Sequence, residues 1–162
     1  MKNSYHINRA LGPGQYHLAD VFRDIHTYGI IADIFCSPEE VARVLTVTKV
    51  HIVDRAHEMF VDNDDASITI GLTHLRQAPD EVLYLDIIHE LCHVKQQMEG
   101  RNLYDRSRCY VDRETEIEAY AVTVREARRI GLDDQAIVNY LHVSWITAEE
   151  HKRLVCRLNV GM

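Results

Sequence analysis

Several features common in chains of this size are missing here. The four cysteines, Cys36, Cys92, Cys109 and Cys156, stand far apart and form no C-x-x-C pair. That spacing argues against a zinc ribbon and against a secreted disulfide framework. They read as reduced, mostly buried thiols, and Cys92 stands out only because it lies between two histidines. No apolar run approaches the roughly 20 residues of a membrane span, and the opening stretch MKNSYHINRALGPGQYH has no apolar centre for a signal peptide. The expected compartment is the cytoplasm, with no membrane partner. No segment concentrates Lys or Arg and the formal net charge is −7, so nucleic acid is not an expected partner.

What is present fits a single globular domain over residues 1–162: 46% of the residues are apolar, enough to bury a core without disulfide staples. Gly12-Pro13-Gly14 marks a turn in an irregular arm, residues 1–15. Leu18, Val21, Phe22, Ile25 and Tyr28 recur at helical spacing and predict a helix over residues 16–31. Ser37-Pro38-Glu39-Glu40 combines a capping serine with a proline at the first helical position, predicting a helix to about Leu45. These two helices do not make a helix-turn-helix, because their connection is loose and their faces carry acids as well as bases. From Thr46 to Leu72 the texture is β-branched and alternating, interrupted by Asp62-Asn63-Asp64-Asp65, which predicts two or three strands of a small antiparallel sheet. The strand at residues 67–72 is expected to offer a free edge to an extended peptide.

The densest chemistry is His89-Glu90-Leu91-Cys92-His93, inside a periodic segment over residues 81–99. Residues four apart share a side of a helix, so His89 and His93 can offer two imidazole nitrogens to one ion. Glu90 lies one step round, poorly placed as a third ligand but well placed to deprotonate a metal-activated water. With ten His and twelve Glu in the chain, an H-E-x-x-H pattern arises by chance with a probability of roughly 5%. Context strengthens it. Leu83, Ile87, Leu91 and Val94 form an apolar stripe, while Leu85, His89, Cys92, His93 and Gln96 gather on the other side, where a surface helix would carry solvated charge. Gly100 supplies the stop.

Zinc with three protein ligands keeps a fourth position open, and no His occurs between His93 and His142. The third ligand is therefore sought on the next helix, which opens near Asp112 and closes at Gly131, with Ile117, Tyr120, Ala121, Val124 and Ala127 facing inward. Glu116 falls on the far flank of that stripe from Glu114 and Glu118, which share a side. Spacing leaves Glu114 or Glu118. In the tail, Asp133 and the capping box Thr147-Ala148-Glu149-Glu150 open two more helices that read as structural.

HELCH followed 25 residues later by Glu118-Ala119 resembles the gluzincin pattern, and EIEAYA resembles the E-x-E-A-x-x-[FA] signature of small bacterial ImmA/IrrE-type metallopeptidases. The resemblance covers roughly residues 67–130. It implies an α+β, zincin-like fold with two helices sharing a metal site, and one zinc ion per chain held by His89, His93 and Glu118. It further implies Glu90 as the general base and hydrolysis of peptide bonds in an intracellular protein. Glu114 then orients a ligand or a neighbouring arginine. Independently of the resemblance, Tyr110, Tyr120, Tyr140 and His142 are candidate donors to a developing oxyanion, against the packing role with a polar tip that Tyr and His more commonly serve. Gln96 stands where the metzincins have glycine, which excludes that branch, and no helix-turn-helix domain accompanies the core. The competing reading is a non-catalytic zincin-like binding or regulatory module that keeps its metal as a structural brace, with a regulatory protein as its partner.

Overall fold

The computed structural model describes residues 4–56 and 58–161. The chain is mixed α+β. The part of the arm at residues 1–3 lies outside the described residues. A short strand β1 (Gly14–His17) leads into α1 (Leu18–Val21), a 3₁₀ turn (Ile25–Thr27) and α2 (Ile30–Ile34). The single helix expected over residues 16–31 is thus replaced by four short pieces. Its apolar positions still reach the core, with Leu18, Val21, Phe22 and Ile25 all buried. Local polar bonds divide the backbone. Gly14–His17 pairs with another strand, and Asp24 takes the Tyr28 hydroxyl on its carboxylate at 2.9 Å and the Thr27 hydroxyl on its carbonyl at 2.6 Å. Such bonds compete with a continuing helix.

Helix α3 (Pro38–Val47) begins as predicted: the Ser37 Oγ accepts from the Glu40 backbone N at 3.1 Å. It is followed by β2 (Lys49–Val53), β3 (Met59–Val61) and β4 (Ile68–Gly71). The sheet order is β1-β2-β4-β3. The antiparallel expectation is corrected, because β4 pairs parallel with β2 while β3 pairs antiparallel with β4. The chain leaves β2, forms the outer strand β3 and returns as β4 into the gap between them. Val50, Ile52, Ile68 and Ile70 alternate onto one buried face. The strand at residues 67–72 is therefore interior, and the edge beside the helices belongs to β3.

After α4 (Leu72–Gln77) comes α5 (Asp80–Met98), the central helix. It is buried nearly all round over its middle turns, from Leu83 to Val94, as a helix enclosed by other elements should be. It ends in a Schellman motif. Gly100 adopts φ +78°, its N–H bonds the Gln97 carbonyl at 2.9 Å, and the Arg101 N–H bonds that of Gln96 at 3.0 Å. A second 3₁₀ turn (Tyr110–Asp112) leads to α6 (Glu114–Arg129), which packs along α5. Helix α7 (Asp134–Tyr140) is capped by Asp133 and α8 (Ala148–Arg157) by the Thr147–Glu150 box, as their sequences predict.

The inward face of α6 differs from expectation. Ala121 is exposed and Ile117 only half-buried, whereas Thr115, Glu116, Ala119, Tyr120, Thr123, Val124, Glu126 and Ala127 are buried. This places a polar strip of α6 against α5. Two of its members make buried polar links: Tyr84 of α5 donates a very short hydrogen bond to Glu126, and Gln96 of α5 donates to the Thr115 carbonyl at 2.9 Å.

Candidate metal centre

The two histidines lie on one side of α5, as four-residue spacing requires, and the carboxylate opposite them is that of Glu116. The Nε2 of His89 and the Nε2 of His93 are 3.1 Å apart. Oε2 of Glu116 is 3.1 Å from the first and 3.2 Å from the second. All three side chains are buried. Ligand atoms of a tetrahedral ion with bonds of about 2.0–2.1 Å lie about 3.3 Å apart, so this near-equilateral triangle has the right size for one. Among the described residues, this is the one group of three His, Cys, Asp or Glu that could hold a metal ion.

The protonation chemistry fits a cation at the centre. Gln96 sets the tautomer of His93: its Oε1 accepts from Nδ1 at 2.7 Å, while its Nε2 donates to the Thr115 carbonyl and to Glu118. The Nε2 lone pair of His93 is thereby turned towards Glu116 and His89. Burial alone would lower the pKa of His93, but its hydrogen bond to Glu116 and the charges of Glu116 and Glu90 raise it to about 9. Burial would raise that of Glu116, and the two histidines overcome this to hold it far below the usual carboxylate range. Three converging ligand atoms in a buried site call for a positive charge between them, whether a proton or a metal ion.

Glu118, expected as the third ligand, is not beside the histidines. Its carboxylate accepts from Arg101 at 2.5 and 3.1 Å and from Gln96 at 3.1 Å, and its side chain is 53% exposed. Glu116, two residues earlier, is turned inward by the rotated face of α6. Glu114 is exposed on the first turn. Glu90 is where the sequence predicts, next to the triad and buried. Its Oε2 has no hydrogen-bond partner, and burial, opposed by His89 and His93, pushes its pKa up to about 7. The Nδ1 of His89 is also buried without a partner. Cys92 is a core filler, since burial raises its thiol to about 12 and keeps it protonated.

Beside the triad runs a cleft with two lobes, of about 220 and 360 Å³. They share Glu58, Met59, His89, Glu90, Tyr110 and Trp145, so the carboxylate of Glu90 stands where they meet. The hydroxyls of Tyr110 and Tyr120 are 2.8 Å apart, and the Tyr120 ring lies 4.3 Å from that of His89. Burial raises both phenols well above their ordinary pKa, so the pair keeps two protons and spends one on its mutual bond. Tyr140 donates instead to Asp86 at 2.9 Å, and His142 is exposed at the rim against His151. The edge strand also borders this cleft. The Gly71 N–H bonds the Glu58 carbonyl and the Asp62 N–H bonds the Ser67 carbonyl, so antiparallel alternation turns the backbones of Met59 and Val61 away from β4. Tyr104 occupies the Val61 carbonyl at 2.5 Å. The outward rung nearest Glu90 is then that of Met59.

Comparison of the chain with protein-family models, with curated proteins and with solved structures returns no match. Among the described residues, no helix is long and apolar enough to cross a membrane.

Proposed function

We propose that this protein is a zinc-dependent metallopeptidase with a zincin-like arrangement, resembling the ImmA/IrrE-type enzymes, whose metal ligands are His89, His93 and Glu116. The observation that carries the reading is the buried triangle of two imidazole nitrogens and one carboxylate oxygen with an unpartnered glutamate oxygen beside it. Two nitrogens and one oxygen in a closed tetrahedral corner suit zinc better than magnesium or calcium, which prefer oxygen-rich, higher-coordinate shells. A zinc ion held there supplies Lewis-acid polarisation of a carbonyl and lowers the pKa of the attacking water to about 7.

The protein's own groups do the rest. Glu90 takes a proton from the water as its oxygen bonds to the scissile carbonyl carbon, then gives that proton to the amide nitrogen as the C–N bond breaks. Its raised pKa matches a group that must both accept and release a proton near neutrality. The Tyr110–Tyr120 pair has one hydroxyl proton left over, which serves the oxygen that gains charge. The outward rung at Met59 supports an extended peptide as substrate, because backbone pairing to a sheet edge holds a chain without reading its sequence. In this reading the E-x-E signature divides its work: Glu116 binds the ion and Glu118 clamps Arg101.

The test is cleavage of a peptide library by zinc-loaded protein, followed by mass spectrometry, for the wild type and Glu90→Gln. The variant keeps volume and a hydrogen-bonding oxygen but cannot take the proton, so turnover should drop by about 10²- to 10⁴-fold while zinc content is unchanged. Cleavage by Glu90→Gln at the wild-type rate would rule out the proposed base.

A further inference from the structure

The smaller lobe carries chemistry that hydrolysis itself does not use. At about 220 Å³ it falls below the roughly 300 Å³ at which pockets begin to hold a whole small molecule, so it suits one side chain. Two carboxylates line it in addition to Glu90: Glu58, immediately before β3, and Asp86, one turn before His89 on α5. No lysine or arginine lines it among the described residues. Asp86 is held in place, accepting from His74 at 2.7 Å and from Tyr140 at 2.9 Å. Glu58 makes no side-chain hydrogen bond or ion pair among the described residues. Burial, then the charge of Asp86, raises its pKa, as befits a carboxylate drawn away from water beside another one. The unpartnered, buried Oε2 belongs to Glu90, where this lobe opens to the triad.

The walls are aromatic. Tyr110, Tyr120 and Tyr140 line the lobe, and Trp145 stands at its mouth with its ring 5.6 Å from that of Tyr110. The larger lobe shares Glu58, Glu90, Tyr110 and Trp145 with it, but Arg113 also lines the larger one and offsets its acids. What the smaller lobe adds to these shared residues is a second acid, Asp86, with its partner His74, and the rings of Tyr120 and Tyr140.

We propose that this lobe is a specificity pocket for a basic side chain: the substrate is an extended peptide with a lysine or arginine beside the bond that is cut. The cationic head sits between Glu58 and Asp86, and the aliphatic stem lies along Tyr140 and Trp145. An acidic side chain would meet like charge, and a neutral one would leave Glu58 without a partner, since Asp86 already has His74 and Tyr140. The assignment deepens the peptidase reading and relies on it for the word substrate, while the pocket's preference for a cation can be measured without catalysis.

Trp145 is the chain's one tryptophan, so its fluorescence reports on the pocket. The full-length protein is titrated with Nα-acetyl-arginine amide and with its neutral isostere Nα-acetyl-citrulline amide, and the library cuts are sorted by residue type. Arginine should bind about tenfold more tightly than citrulline, as a charge-assisted hydrogen bond implies. The preference should collapse towards parity in Glu58→Gln, and lysine or arginine should dominate one position flanking the cut. Equal affinities for the two amides, or no saturable binding of either, would overturn the pocket even if the library is cut. A clear arginine preference with no cleavage in the library would leave the pocket standing and count against the peptidase. If Glu58→Gln failed to fold, Asp86→Asn would serve the same comparison.

Discussion

Gln96 Oε1 accepts a hydrogen bond from His93 Nδ1 at 2.7 Å, and the same amide's Nε2 reaches the Thr115 carbonyl one residue before Glu116. One side chain therefore turns the imidazole towards the triangle and ties the α6 end of the site to α5. Gln96→Leu keeps much of the volume and removes both bonds. It should weaken zinc retention about 10- to 100-fold, the usual effect of losing a ligand's supporting partner. Competition with a coloured chelator measures this, and unchanged affinity would show that Gln96 is packing alone.

Farther along the same pair of helices, Glu126 makes a test of stability that does not involve the metal. It is buried, with Tyr84 donating to Oε1 and Arg129 donating at 2.6 and 2.8 Å. Burial would raise its pKa, but the bonds from Arg129 and Tyr84 outweigh burial and lower it. Its contribution is therefore present above the unfolded carboxylate's pKa and is lost as pH falls through the lower native value. Glu126→Gln should cost about 1–3 kcal/mol at neutral pH. The gap to wild type should narrow as the pH is lowered past about 4. Urea unfolding of the two proteins across that range checks the sign, and a gap that widens in acid would refute it.

The proposed role of Glu90 as general base predicts a split between binding and turnover. Glu90→Gln should retain the ion and the fold and lose hydrolysis, whereas His89→Ala should lose both ion and hydrolysis. Metal content and peptide cleavage measured on the same preparations separate these outcomes. Equal metal loss in the two variants would mean that Glu90 binds rather than transfers protons.

What the sequence makes legible here is local. Ser37, Asp133 and Thr147 announce their helices because a cap is written within four residues, and Gly100 ends α5 through its own φ. HELCH places His89, Glu90 and His93 because helical spacing alone sets their direction. Which carboxylate faces the two histidines depends instead on how α6 is rotated against α5. Apolar residues suggested a face through Ile117 and Ala121, yet the buried strip includes Thr115, Glu116, Thr123 and Glu126, polar groups whose partners are on α5 or on neighbouring turns of α6. Hydrophobic periodicity is blind to such a face. A usable signal was Glu116 one turn before Tyr120, with Arg101 available to take Glu118. The parallel pairing of β4 with β2 and the use of Gly14–His17 as a strand rest on contacts distant in sequence, which no local pattern records.

The central claim is that Glu116, with His89 and His93, holds one zinc ion, and the most direct measurement is elemental analysis of purified wild type, Glu116→Gln and Glu118→Gln after identical growth in zinc. The account predicts about one equivalent per chain in the wild type, close to the same in Glu118→Gln, and a small fraction in Glu116→Gln. Wild-type protein with less than a few tenths of an equivalent, or loss of zinc in Glu118→Gln with retention in Glu116→Gln, would contradict it.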